Sequence, residues 1–202
     1  MRIFIAGASG VIGVRLIPLL VAGGHTVAGM TRSPQNAEML SDLGVQPVVC
    51  DVFDADALIR SVTAFGPDIV FDQLTDLPDD IGDMGEFSDR NDRMRSEGTR
   101  NVLAAAAAGH AERVIAQSIS WELSSERRRA VAAERERAVL ESGGVVIRYG
   151  RLYGPGTFYE KIPPDPPRVH VDDAARQTLP ALNVPLGVTL VADDRAAPTD
   201  TD

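Results

Sequence analysis

Lysine is nearly absent from this 202-residue sequence, which contains Lys161 alone against 19 arginines. Cysteine and histidine are also scarce. Cys50 has no partner for an internal disulfide, and three scattered histidines offer no metal-ligand spacing, so we predict no metal site. No apolar run reaches the roughly 18 residues that span a bilayer. The apolar run that starts at residue 2 leaves no room for a signal peptide. These absences predict a cytoplasmic protein with no membrane partner.

Positive charge is also in short supply, because the formal net charge at pH 7 is −9. Nucleic acids bind to basic faces that release phosphate counterions, so we expect no nucleic-acid partner. The apolar fraction of 44% is ordinary for a globular protein, and the length suits one α/β domain. We predict a single domain over residues 1–191, with an irregular segment from 149 to 191 and a disordered tail over 192–202.

The most informative stretch is a glycine-rich turn that follows the apolar residues 2–6. Gly7, Gly10 and Gly13 are spaced GxxGxxG, and a helical pattern follows over residues 11–22. Gly7 permits a tight turn, Gly10 lets the backbone approach a pyrophosphate, and Gly13 lets the helix pack close to the sheet. Free N–H groups at the helix start would face the phosphates. The alternative is a glycine turn without a ligand. The predicted contacts from this turn are Gly7, Ser9, Gly10, Val11, Ile12 and Gly13.

Strand and helix patterns alternate along most of the chain. We predict strands at residues 2–6, 25–30, 45–50, 68–74, 113–117, 145–148, 169–171 and 187–191. We predict helices at residues 11–22, 34–43, 54–65, 89–108 and 125–141, with a further helix that starts at a capping Asp172 and ends near Pro180. The acidic stretch 77–88 is predicted to be a surface loop. Short connections of this kind predict a doubly wound parallel sheet, the Rossmann fold, with its ligand crevice at the carboxyl ends of the strands.

The end of the second strand bears on the choice of dinucleotide. An acidic side chain there would accept a hydrogen bond from a ribose 2′-hydroxyl and favour NAD, but the sequence has Thr31-Arg32-Ser33. A guanidinium suits a 2′-phosphate, so Arg32 predicts NADP over NAD. The alternative is an arginine that is merely exposed at a strand end. Asp51 and Val52, after the third strand, would lie near the adenine, unless Asp51 only leads into a helix.

Several of these motifs resemble the extended short-chain dehydrogenases/reductases of the NAD(P)-dependent epimerase/dehydratase group. The matching segments are residues 7–13, 31–33, 51–52, 98–106, 118–120, 148–156 and 170–174. The resemblance implies that Gln73, Leu74 and Thr75 line the inner ribose and phosphates of the cofactor. It also implies that Ser118 and Ser120 face the nicotinamide, and that the backbone of Tyr149 meets its carboxamide.

Two departures from that group concern its catalytic machinery. The group carries a Tyr-x-x-x-Lys pair on the helix after the fifth strand, where the lysine lowers the tyrosine pKa. Residues 125–141 contain neither residue type, and alignment on Glu136 puts Arg128 and Ala132 at the two positions. The chain is also short, because only residues 157–169 separate Gly156 from the His170 segment. Only a small remnant of the substrate lobe is therefore expected.

Three possibilities follow from this pattern. The first is an atypical NADP-dependent oxidoreductase or epimerase that acts on a small molecule, with Ser120 as candidate proton donor and Tyr149 or Tyr153 as looser ones. The second is a non-catalytic NADP-binding sensor or scaffold, favoured by an intact phosphate turn beside the missing pair. A third possibility is a homo-oligomer or other assembly in which a partner chain completes the site.

Overall fold

A seven-stranded parallel sheet forms the centre of the protein, seen here in a computed structural model that describes residues 1–75, 84–123 and 125–193, with the backbone alone for 84–88. The strand order is β3-β2-β1-β4-β5-β6-β9. The strands are β1 (Arg2–Ala6), β2 (Thr26–Thr31), β3 (Gln46–Val49), β4 (Ile69–Asp72), β5 (Arg113–Ile119), β6 (Val145–Tyr149) and β9 (Gly187–Val191). Two short strands, β7 (Arg151–Tyr153) and β8 (Arg168–His170), form a separate parallel pair.

Helices cover both faces of this sheet. They are α1 (Gly13–Ala22), α2 (Pro34–Asp42), α3 (Ala55–Phe65), α4 (Met84–Arg93), α5 (Thr99–Ala108), α6 (Glu126–Glu141) and α7 (Val171–Thr178). A π-helical turn (Met94–Gly98) joins α4 to α5, and a 3-10 turn (Leu179–Asn183) follows α7. The predicted doubly wound α/β fold is confirmed, and most boundaries differ from the predictions by only one or two residues.

The alternating side chains of β1 divide the interior into two cores. Ile3 and Ile5 pack on the side of α1, α2 and α7, whereas Phe4 and Ala6 pack on the side of α3, α5 and α6. This period of two is the strand pattern that the sequence shows at residues 2–6. Because β1 is central and buried on both faces, its carboxyl end is held firmly where the glycine turn begins.

The region around α4 differs from its prediction. Residues 84–88, predicted as part of a loop, belong to α4, while residues 76–83 lie outside the described part of the chain. The predicted helix 89–108 is interrupted by the π-helical turn. Arg127 of α6 reaches Asp89 at 3.2 Å, so α4 is tied to a neighbouring helix. The acidic composition that suggested a loop is therefore compatible with a helix, because composition is a weak guide beside tertiary contacts.

The C-terminal part of the chain differs in two details. Strand β7 lies within the segment predicted to be irregular, and the cap of α7 is not the predicted one. Asp172 was predicted to cap α7, but His170 Nδ1 accepts the hydrogen bond from the Asp172 N–H (3.3 Å). The Asp172 carboxylate is instead drawn to Arg15 of α1, at 2.7 Å. The tail predicted to be disordered lies, from residue 194, outside the described residues.

The described residues contain no helix that is both long and apolar enough to cross a membrane. Over the same residues, no group of three or more histidine, cysteine or acidic side chains is arranged to hold a metal ion.

Candidate functional site

A groove of about 240 Å³ lies at the carboxyl edge of the sheet. It begins at the turn between β1 and α1 and runs past the ends of β2, β3 and β4. Nine of the predicted contact residues line it, namely Gly7, Ser9, Gly10, Arg32, Asp51, Val52, Gln73, Leu74 and Thr75. Four segments that are separate in the sequence thus form one connected surface, as predicted.

The backbone of Gly7 explains why this position carries no side chain. Its φ is +85°, a region that favours glycine, and a Cβ there would lie 2.7 Å from the carbonyl oxygen of Gln73. The Gly10 N–H donates to the Gly7 carbonyl (3.0 Å), and the Ala8 N–H donates to Met30 (3.1 Å). The turn is therefore closed on itself, hydrogen-bonded to β2 and in close approach to the residue that follows β4.

The start of α1 is the second feature of this turn. Among the described residues, no side chain caps the start of α1, and the first turn of α1 contains no acidic residue. A helix start of this kind presents N–H groups and a positive dipole end to an anion.

Gly13 was predicted to let α1 approach the sheet, but a Cβ at Gly13 would instead collide with the Ala8 carbonyl. Its role is to bring the first helical turn onto the glycine loop. Val11, Ile12 and Gly13 do not line the groove: Ile12 and Gly13 are buried, and Val11 is half-buried.

Hydroxyl groups and one guanidinium surround the end of β2. Ser9 Oγ and Thr31 Oγ1 are 3.1 Å apart, and Thr31 Oγ1 also accepts from the Ser33 N–H (3.2 Å). Ser33 caps α2 by accepting from the Asn36 N–H at 3.3 Å. Arg32 is exposed at the rim between these groups. The arrangement is chemically suited to a phosphate, since it joins a cation to several neutral donors.

The part of the groove beside the end of β3 contains residues that the sequence predicts and others that it does not. Asp51 Oδ1 accepts from the Phe53 N–H (2.9 Å), so this carboxylate shapes its own turn as well as facing the groove. Met94 of the π-helical turn, together with Cys50, also lines the groove. Met30 and Asn36 complete the set that was missed. Asn36 alone had a usable signal, because it is a polar side chain in the first turn of the helix that follows Arg32.

A buried ion pair holds the end of β4. Arg135 of α6 lies 2.9 Å from Asp72 Oδ2, and the two residues are only 5% and 1% exposed. Asp72 also accepts from Thr99 Oγ1 (2.8 Å) and from the Leu74 N–H (3.2 Å). Residues 73–75 are thereby held in place by β4, α5 and α6 together.

Ser118 and Ser120, at the end of β5, have different surroundings. Ser118 Oγ donates to Glu136 Oε1 (2.5 Å), and Glu136 also accepts from Arg148. Burial alone would raise the pKa of Glu136, but these two hydrogen bonds outweigh it and leave that pKa lowered. Ser118 is thus turned toward α6 and does not line the groove. Ser120 also lies outside the lining of the groove. Its buried Oγ has no hydrogen-bond partner among the described residues, so it retains the capacity to bind a ligand group.

The tyrosines considered as proton donors are engaged elsewhere. Tyr149 is the last residue of β6, its side chain is buried, and its hydroxyl lies 2.6 Å from Thr178 Oγ1. Burial raises the pKa of Tyr149 to about 12. The suggestion that Tyr149 donates a proton is therefore wrong, because a strand end turns its ring into the core; a backbone contact remains a prediction. Tyr153 donates to Asp193 Oδ2 at 2.8 Å.

Comparison with known proteins agrees with this geometry. Residues 7–140 match the family described as NAD(P)H-binding. A 3-diazoavenalumate denitrifying reductase from Streptomyces sp is 34% identical over 241 aligned positions, which cover 98% of this chain and 78% of that protein. The alignment is longer than this chain, so the relative contains segments that are missing here.

Solved structures show the same fold. The UDP-glucose 4-epimerase of Thermus thermophilus, in complex with NAD, is 20% identical with a TM-score of 0.74, covering 95% of this chain and 78% of that one. The UDP-glucose-4-epimerase of Stenotrophomonas maltophila, with bound NAD and formylated UDP-arabinopyranose, is 13% identical with a TM-score of 0.76 and the same coverage.

The fold and the family match define an NAD(P)H-binding protein with a Rossmann fold. The chain belongs to the NAD(P)H-binding family, and its resemblance to the short-chain dehydrogenase/reductase epimerases is confirmed.

Proposed function

We propose that this chain is an NADPH-dependent reductase. The observation that carries the proposal is the groove that joins the uncapped start of α1 to Arg32 and its surrounding hydroxyls. The pyrophosphate would bind at the glycine turn, and the 2′-phosphate would bind at Arg32. Ser120 would hold the nicotinamide end by hydrogen bonding, and the bound cofactor supplies a hydride. The similarity to a reductase over most of both chains supports reduction over epimerisation.

Replacement of Arg32 tests the choice of cofactor. Arg32→Ala removes charge-assisted hydrogen bonds to the 2′-phosphate, so the Kd for NADPH should rise about 10- to 100-fold. The Kd for NADH should stay unchanged, and both can be measured by titration calorimetry. Arg60→Ala is the matched control, because Arg60 is an exposed arginine on α3 away from the groove. Equal weakening of NADPH and NADH would refute the role of Arg32.

The surroundings of the site favour a particular type of reduction. Reducing a carbonyl group consumes a hydride and a proton, and a proton donor needs a suitable pKa and access. Tyr149 is buried, Tyr153 is bonded to Asp193, and α6 has neither tyrosine nor lysine. The Ser120 hydroxyl has no activating partner among the described residues, and an unactivated serine is a poor acid near neutral pH. We infer that the substrate accepts a hydride without an accompanying proton.

A carbon-bound diazonium group meets this requirement. The hydride forms a new C–H bond, the C–N bond breaks, and N2 leaves with the electron pair of that bond, so charge and atoms balance with no proton consumed. The similarity to a denitrifying reductase of a 3-diazo compound supports this substrate class.

The experiment supplies 4-carboxybenzenediazonium and NADPH deuterated at C4 of the nicotinamide. We expect NADPH oxidation, N2 release and deuterium on the ring carbon, with no solvent isotope effect. Benzaldehyde serves as the carbonyl comparison. Faster reduction of benzaldehyde would contradict the diazonium assignment, and binding of NADPH without oxidation by either compound would favour a sensor or scaffold.

A further inference from the structure

Three arginine side chains lie where α6 packs against the π-helical turn. Arg128, Ala132 and Arg135 occupy one face of that helix, because positions three and four residues apart lie together. The π-helical turn packs against this helix and presents Arg95 to it. Ala132 lies between the two α6 arginines, and its methyl group occupies little of the space there. Met94, the neighbour of Arg95, lines the groove.

Arg128 and Arg135 both have interaction partners, whereas the charge of Arg95 is compensated less well. Arg135 is paired with Asp72 at 2.9 Å. Asp92 is close to Arg95 and also lies 3.7 Å from Arg127. Arg95 is half-buried, and no hydrogen bond or ion pair to its guanidinium is found among the described residues. Burial, followed by repulsion from Arg135 and Arg128, lowers the pKa of Arg95, and Asp92 only partly offsets this.

A cation held away from water among like charges is unfavourable unless an anion joins it. π-Helical turns inside longer helices are often found at functional sites. We propose that Arg95, with Arg128 and Arg135 beside it, forms a subsite that binds the carboxylate of a small-molecule substrate next to the cofactor groove. The substrate part of this proposal rests on the proposed reductase function, whereas the anion site can be tested without it.

The binding test uses thermal unfolding of the NADPH-saturated protein at constant ionic strength. Benzoate should raise Tm by about 2–4 °C, while neutral benzamide should not. Arg95→Met should abolish the benzoate shift, and Arg95→Lys should retain part of it. Arg100→Met is the control, because Arg100 is an exposed arginine one turn further along the same helical stretch.

The same measurement separates a binding role from a structural one. Since Arg95→Met removes a charge that Asp92 only partly compensates, its Tm without benzoate should equal or exceed that of the wild type. A lower Tm, together with an unchanged benzoate shift, would overturn the proposal. A shift with inorganic phosphate but none with benzoate would also overturn it, because the site would then suit a phosphate.

Turnover provides the second test. Arg95→Met should raise KM for 4-carboxybenzenediazonium about 10- to 100-fold and leave KM for unsubstituted benzenediazonium unchanged. Equal effects on the two substrates would refute the subsite while the reductase proposal stood. If neither compound oxidises NADPH in the wild type, the diazonium proposal fails, and the benzoate shift decides the anion site alone.

Discussion

Replacing Arg135 with methionine would remove the cation from a fully enclosed ion pair. Asp72 would remain 1% exposed, with Thr99 and the Leu74 N–H as its hydrogen-bond donors. Removing one member of a buried pair leaves an uncompensated charge and costs about 3–5 kcal/mol of unfolding free energy. With an m-value of about 2 kcal/mol/M, the urea midpoint should fall by about 2 M. The loss is a large share of the stability of a typical domain.

Arg137→Met supplies the comparison within the same helix. Arg137 pairs with Glu141 at 3.0 Å, and both side chains are 62% exposed. Pairs of this kind contribute about 0.3–0.5 kcal/mol, so the midpoint should barely move. Pairing Arg135→Met with Asp72→Asn should recover part of the loss, because the buried charge is then gone. The reasoning is refuted if Arg135→Met costs no more than Arg137→Met.

Three further outcomes follow from the groove and its surroundings. Gly7→Ala should weaken NADPH binding and destabilise the fold by more than Gly24→Ala, measured by calorimetry and urea unfolding; Gly24 also has a positive φ but has open space where a Cβ would lie. If both variants behave alike, the close approach to Gln73 is unimportant. Between pH 10 and about 12 the unfolded state releases the Tyr149 proton while the folded state keeps it, so stability should fall with rising pH by up to about 1.4 kcal/mol per unit. Tyr149→Phe should lose this part of the pH dependence, and an unchanged profile would argue against burial as its cause. Ser120→Ala should raise KM for NADPH and leave unfolding unchanged, and a variant with normal kinetics would exclude Ser120 from the site.

The sequence predicts those parts of the site that depend on local chemistry. The Gly7 turn and Arg32 can be located because strand, turn and helix patterns are short-range, and parallel strands must end at one edge. Met94 and Cys50 could not be located in this way. They reach the groove because separate elements pack together, and the π-helical turn that presents Met94 leaves no clear periodic signal.

The direction in which a side chain points is harder to predict from the sequence than its position along a strand. Tyr149 was placed at the correct strand end, but one residue of extra strand turns its ring into the core. The Asp72–Arg135 pair was not anticipated, because the two residues are distant in sequence and meet only when α6 packs beside β4. Composition was also misleading at residues 84–88, which belong to a helix although they lie in a segment predicted to be an acidic loop.

The most direct test of the account is native mass spectrometry of the purified protein with equimolar NADPH and NADH. The geometry at Arg32 predicts a one-to-one complex in which NADPH strongly predominates. Equal occupancy would contradict the NADP preference, and the absence of both complexes would contradict the cofactor site itself.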